Sequence, residues 1–287
     1  MIWTIKYDNG QGLFCFFKII LRNLIEKQIM GTRKVTVDIS NIYYPYKDDI
    51  NETNNNLFEI IELNDSEIKI FKNILEKFQL DNNNYNELWS NYLNVEIKHK
   101  IFKKYFKLNN KIYDKVNNIY DNFNNKYIIG VHFRSHVSKI SELRNTNRNY
   151  KIKNVNDYII FIKQYILENN IKNYKIYLVT DMLTNIEIFK KEFQDLLIIN
   201  ENNKWLSKDI TDVEPHFGFT LSDKKINDIN FLNIFNKRKP GLNGAIELFV
   251  DIIVLSKCNV FFNSESNVSY FVKIMNPYQK TINIQDY

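Results

Sequence analysis

Tyr127-Ile128-Ile129-Gly130-Val131-His132-Phe133-Arg134 is the stretch whose reading decides the fold. Its apolar, β-branched start predicts a buried strand. Its end carries His132 and Arg134, two residues apart, and that spacing puts both side chains on one face of a strand. Arginine there offers a planar fork of donors for a phosphate or a carboxylate. Glu142 follows in a polar segment that has left the strand, a candidate base beside an anion grip. Ligands of open α/β sheets bind at this C-terminal strand edge. The competing reading of the local pattern is two surface residues at a strand end.

The chain around this stretch alternates strand and helix. After the polar, Arg- and Asn-rich run from Ser138 to Lys153, Tyr158 to Asn169 predicts a helix. Lys175-Ile176-Tyr177-Leu178-Val179-Thr180-Asp181 predicts a buried strand closing in an Asp, Asn185 to Phe193 a helix, and Leu196 to Ile199 a short strand. Residues 200–239 are irregular, and a loop of that length is usually functional. Gly241 to Ser256 predicts a helix, Cys258 to Phe262 a strand, and Ser264, Ser266 and Asn267 open a last helix through Met275. A strand running into Ser and Asn at a helix N-terminus is a second anion-binding geometry.

The N-terminal half opens in the same way. Trp3 to Tyr7 reads as a strand, Asp8-Asn9-Gly10-Gln11-Gly12 as a turn, and Leu13 to Ile25 as a helix. Gly10 and Gly12 make a loop of phosphate-binding shape in a chain with seven glycines. Val35 to Ile39 is the next strand, which makes a β-α-β opening and a parallel sheet. Ile68 to Phe78 and Leu88 to Phe106 have helical spacing; the polar face of the second carries Lys98, Lys100, Lys103, Lys104 and Lys107. Asn109 to Asn125 is either another helix or a linker. The expected division is residues 1–125 and 126–287, both Rossmann-like.

Composition narrows the function classes. At 44% hydrophobic and 25% charged, the 287-residue chain is of ordinary globular composition, with core enough for two domains. The net charge of +6 fits a phosphate-bearing or acidic partner, but no nucleic-acid-binding motif accompanies it. Cys15 and Cys258 lie far apart in apolar runs, which predicts free thiols in a reducing compartment. No apolar run reaches the ~18 residues of a transmembrane helix. A cytoplasmic protein is expected, with peripheral membrane contact through the lysines as its limit.

Three blocks together resemble the fucosyltransferase superfamily, which includes the α1,6- and nodulation-type, α1,2- and protein O-fucosyltransferases. Gly130-Val131-His132-Phe133-Arg134 resembles their Gly-Val-His-x-Arg strand. Tyr177-Leu178-Val179-Thr180-Asp181 is similar to their strand closing in Ser/Thr-Asp. Asp251 to Cys258 with Ser264-Glu265-Ser266-Asn267 is similar to their third block. The resemblance implies an α/β fold of GT-B type: two Rossmann-like domains with parallel sheets facing across a cleft, the C-terminal one binding GDP-fucose. It implies Arg134 at the diphosphate with His132 beside it, and Asp181 at the rim. It places Asp251 at the nucleoside, and Ser264, Ser266 and Asn267 at phosphate. Glu142 stands where the α1,6 enzymes carry an acidic residue proposed as the base. The acceptor, a glycan or glycoprotein hydroxyl, belongs against the N-terminal domain. The α1,6 enzymes have a second Arg where this chain has Ser135, and the α1,2 enzymes have a Trp pair that is absent here.

The chemistry follows from what glycosyl transfer needs: a stabilised leaving diphosphate and an acceptor hydroxyl that loses a proton. No Asp-x-Asp stands at a strand end, since Asp181 is followed by Met182 and Leu183. No metal and no cofactor beyond the donor substrate is therefore expected; Arg134, lysines and helix N-termini would hold the leaving group. Glu142 is the expected base, with His136 and His216 as rivals, and the reaction inverts the anomeric centre. The alternatives are a transferase using another nucleotide sugar and a non-catalytic nucleotide- or glycan-binding protein of the same fold.

Overall fold

In the computed structural model, Tyr127–Phe133 (β5) is the central strand of a five-stranded parallel sheet. The structure describes residues 2–6, 13–29, 34–38, 57–61, 69, 95–134, 153–201, 241–264 and 266–286. Gly10, Gly12, Ser135, His136, Glu142, His216 and the helix expected at Ile68 to Phe78 lie outside them, Lys69 excepted. The chain divides into two units: Met1–Asn110 with Phe217–Ala245, and Lys111–His216 with Ile246–Tyr287.

In the first unit, Ile2–Lys6 (β1) and Lys34–Asp38 (β2) pair in parallel, joined through helix Leu13–Ile29 (α1). This is the β-α-β opening expected from the sequence. Leu13, Phe17, Ile20, Leu21 and Leu24 are buried at helical spacing. Phe58–Ile60 (β3) pairs antiparallel with Phe106–Leu108 (β4), which directly follows helix Val95–Tyr105 (α2). The helix predicted to reach Phe106 stops one residue short, because Phe58, Phe102 and Phe106 close around Phe17 with ring centroids 4.5–6.0 Å apart. Long-range packing decides β-structure more than local preference does. Lys98 also departs from the solvated face assigned to it. It is buried, on the side of α2 that carries Ile101, Phe102 and Tyr105, and burial together with the charge of Lys18 lowers its pKa to about 8. Lys100, Lys103, Lys104 and Lys107 are exposed, as the polar-face reading requires.

The second unit begins with helix Asn110–Asp121 (α3), so this stretch is a helix and not a linker. The sheet then takes Tyr174–Thr180 (β6), Leu197–Ile199 (β7), Val260–Asn263 (β8) and Lys280–Asn283 (β9) in the order β7-β6-β5-β8-β9, all parallel. The helices between them are Val155–Glu168 (α4), Leu183–Phe193 (α5), Gly241–Ser256 (α6) and Asn267–Met275 (α7). Asn154 caps α4 through a reciprocal capping box with Asp157. The strand expected from Cys258 starts at Val260. Cys258 lies just past α6 and is tied to its last turn, its amide bonding Leu255 O and its thiol Val254 O.

Strand alternation gives β5 two different faces. Ile129, Val131 and Phe133 join the core with Tyr158, Ile159 and Ile162 of α4 and Phe189 and Phe193 of α5. Gly130 and His132 face the other way, toward α6 and α7. A Cβ on Gly130 would stand 3.0 Å from Cys258 Sγ and 3.1 Å from Leu255 Cδ2. Glycine is what lets α6 end this close to the strand. β5 runs through α4 to β6 on one side, while β8 lies on its other side. The strand order therefore reverses between β5 and β8, the crevice where doubly wound sheets bind ligands.

Candidate functional site

The strand register places the expected site residues. Phe133 pairs with Thr180, and His132 with Asn263. Arg134 and Asp181, the next residues after Phe133 and Thr180, are therefore level in one row at the C-terminal edge, and Ser264 is level with Phe133, one residue behind Arg134. Ser266 and Asn267 follow as cap and first residue of α7. The sheet thus brings together His132, Arg134, Asp181, Ser264, Ser266 and Asn267, and the reversal point lies between the first pair and the last three.

The β5–α7 side of this row is tied by hydroxyls. Ser266 caps α7, its Oγ accepting the Ser269 amide at 3.0 Å. Ser269 Oγ donates to the Ser264 carbonyl at 2.6 Å, lies 2.9 Å from Ser266 Oγ and 3.4 Å from His132 Nδ1. Ser269 and His132 are both buried. Tyr158, packed edge-on against Phe133 at 4.8 Å, brings its hydroxyl beside Ser264 without a well-formed hydrogen bond. Burial raises the pKa of that phenol, against a smaller lowering by Ser264.

Asp251 stands apart from the row. It projects from α6 against Tyr177, three residues before the end of β6, about 10 Å down the strand. The Tyr177 hydroxyl donates to Asp251 Oδ1 at 2.6 Å, and Asn200 Nδ2 donates to the same oxygen at 3.1 Å. Asn200 also bonds Glu247 at 2.9 Å, and Lys115 of α3 reaches Glu247 at 2.6 Å. Glu247, Asp251, Asn200 and Tyr177 are all buried. Burial first, then the Asp251 carboxylate, holds the Tyr177 phenol well above its ordinary pKa. Lys115, Glu247 and Asn200 line a pocket of about 520 Å³ beside the edge strand β7.

Sequence reading missed Ser269, Tyr158 and this polar chain. Ser269 had a signal, since it stands three residues after the cap Ser266, where a side chain meets its cap. Asn200 and Lys115 had none, because their partners are 47 and 132 residues away. Among the described residues no three His, Cys, Asp or Glu side chains converge on a metal site, and no helix is long and apolar enough to cross a membrane.

No protein-family model matches the sequence, and neither does any curated protein. Solved structures do match. NodZ α-1,6-fucosyltransferase soaked with GDP-fucose aligns over 96% of this chain and 92% of its own, at 13% identity and a TM-score of 0.53. Fucosyltransferase NodZ from Bradyrhizobium, with selenomethionine, aligns over the same shares at 14% identity and a TM-score of 0.50. POFUT1 in complex with GDP aligns over 98% of this chain and 97% of its own, at 8% identity and a TM-score of 0.55. At such identities the likeness speaks for the fold, and the α/β, GT-B type fold expected from the sequence is the fold this chain shares with these fucosyltransferase structures.

Proposed function

We propose that the protein is a glycosyltransferase that moves fucose from GDP-fucose to a hydroxyl of a glycan or protein, with inversion and without a metal. The observation that carries this reading lies at the reversal point: Arg134 directly follows β5, and the Ser-capped N-terminus of α7 follows β8, the strand paired with β5. A guanidinium and a helix N-terminus are two fixed positive poles for one diphosphate. Its support is the shared fold of structures that hold GDP or GDP-fucose.

In the proposed reaction the acceptor oxygen attacks the anomeric carbon from the face opposite GDP. The new carbon–oxygen bond forms as the bond to the β-phosphate breaks, and the acceptor proton passes to the Glu142 carboxylate. Arg134, Ser264, Ser266 and Asn267 take the charge that develops on the leaving diphosphate. His132 stands beside them and Asp181 lies at the rim; Asp251, buried against Tyr177 and Asn200, is assigned no donor contact. The donor is assigned to residues 126–287 and the acceptor to residues 1–125. A cytoplasmic setting belongs to the same proposal and is supported by the buried free thiol of Cys258.

The test is calorimetric titration with GDP, GDP-fucose, GDP-mannose, UDP-glucose and UDP-N-acetylglucosamine, with and without EDTA. The expected result is metal-independent binding of GDP and GDP-fucose that Arg134→Ala abolishes. Glu142→Gln is expected to keep donor binding and lose turnover. Preference for a UDP-sugar would replace fucose and keep the chemistry; no nucleotide binding at all overturns the transferase reading. Ser135, where the α1,6 enzymes carry a second Arg, favours a second reading as a non-catalytic nucleotide binder. Donor binding without slow donor hydrolysis would decide for it.

A further inference from the structure

The pocket of about 520 Å³ beside β7 is built from residues of the second unit alone, and β6 lies between β7 and the strand that leads to Arg134. Its volume is that of an ordinary small-molecule site, about 300–1,000 Å³. One face of α3 lines it: Lys115, Asn118 and Ile119, with Asn122 just past the helix, recur at three- and four-residue spacing. The charges of the lining cancel, Lys115 and Lys190 against Glu201 and Glu247. A charged ligand therefore meets no net opposite charge. Four amides, those of Asn118, Asn122, Gln194 and Asn200, share the wall with the apolar strand Leu197 to Ile199. No aromatic ring is among the described residues of the lining, so a nucleobase has no face to stack on. An amide presents donors and an acceptor together, which is what a hydroxyl group, itself donor and acceptor, requires.

Two details of the wall favour a ligand over a merely structural hollow. Glu247 is buried, with Lys115 at 2.6 Å and Asn200 at 2.9 Å as its partners. A carboxylate has about four acceptor positions, so some remain. A buried ion pair adds little stability, because desolvation offsets its attraction. Gln194 closes α5 at φ 46° and ψ −122°. The other non-glycine residues at positive φ among the described residues are Asn124, Asn125 and Asn170, and asparagine tolerates that region. Glutamine at this backbone is strained, and such strain gathers at binding sites. We propose that the pocket binds a neutral saccharide, its hydroxyls held by Asn118, Asn122, Gln194 and the remaining acceptor positions of Glu247, its carbons lying against β7. The site stands on its own lining. That the saccharide belongs to the acceptor rests on the transferase reading above.

The probes are lactose, maltose and cellobiose, titrated into the full chain and followed by saturation-transfer NMR. At least one is expected to receive saturation from the protein. Asn118→Lys, at an exposed position of α3, fills the pocket and is expected to weaken that disaccharide at least about tenfold, the value of one hydrogen bond or more. Gln194→Gly relieves the backbone strain. It is expected to raise the urea midpoint while weakening the disaccharide about fivefold. A Gln194 of structural role only would show the gain in stability with binding unchanged. No saturation transfer to any of the three sugars, or full binding in both variants, overturns the proposal. Displacement of the sugar by GDP or by inorganic pyrophosphate makes the pocket a nucleotide or anion site and overturns it as well. If GDP and GDP-fucose fail to bind while the disaccharide binds and Asn118→Lys removes it, the transferase reading falls and the pocket stands. The acceptor assignment has its own readout, disaccharide-stimulated release of GDP from GDP-fucose. Asn118→Lys should raise the KM for the disaccharide and leave GDP-fucose affinity unchanged. An unchanged KM, or no stimulation, overturns that assignment.

Discussion

Replacing Tyr177 by Phe removes one hydroxyl from the buried chain under the sheet and leaves the ring in place. That hydroxyl donates to Asp251 Oδ1 at 2.6 Å, with both side chains almost fully buried. After the change Asp251 keeps the Asn200 amide at 3.1 Å but loses its shorter donor. A hydrogen bond to a charged group is worth about 1.5–3 kcal/mol, so the expected loss is about 2 kcal/mol. At about 2–4 °C per kcal/mol, the melting temperature should fall by about 4–8 °C. Urea unfolding at pH 7 measures the loss directly. A double-mutant cycle with Asp251→Asn should show the two changes coupled by about 1 kcal/mol or more, since the residues share one bond. The pH dependence has a definite sign. The Tyr177 phenol is held above its ordinary value of 10.0 in the folded protein, so its contribution is full below pH 10 and is lost as the unfolded chain ionises above it. The gap between the two proteins should therefore narrow above about pH 10. A loss under about 0.5 kcal/mol, or additive single changes, would refute the reasoning that this bond ties β6 to α6.

Gly130→Ala should destabilise by about 1–3 kcal/mol, because the added methyl meets Cys258 Sγ at 3.0 Å and Leu255 Cδ2 at 3.1 Å. Adding Cys258→Ala should recover part of that loss in the same unfolding assay. Lys98→Met bears on the buried lysine of α2, whose pKa is lowered to about 8 by burial and by Lys18. The folded value lies below the unfolded 10.5, so the cost of the charge is full below about pH 8 and is relieved as pH rises toward 10.5. The Met variant should thus gain on the unsubstituted protein most at pH 7 and least near pH 10, as compared by urea midpoints. An unchanged difference between the two pH values would show that Lys98 keeps its ordinary titration in the fold.

The alternation of strands and helices was legible from the sequence because each element is encoded locally. Tyr127–Phe133 and Tyr174–Thr180 are built on the apolar runs Ile128 to Val131 and Ile176 to Val179, as strands covered on both faces must be. The span of α6 could be read residue for residue, from Gly241, at φ 65°, to Ser256. The site row was legible for the same reason: His132 and Arg134 end one such run, and Ser264 and Ser266 end another. Strand β9, Lys-Thr-Ile-Asn, gave no such signal, because its half-polar sequence becomes a strand only through pairing with β8.

The sequence by itself determined which residues stand at strand ends, since hydrophobic period and turn chemistry are properties of neighbours along the chain. Tertiary structure decided everything that depends on partners far apart in it. It buried Lys98 on the apolar side of α2, it set Asp251 against Tyr177 and Asn200 instead of in the row with Arg134, and it brought Ser269 to His132 across 137 residues. The physical reason is that a buried polar group must find its hydrogen-bond partner wherever the fold supplies one, and the fold supplied these from other elements.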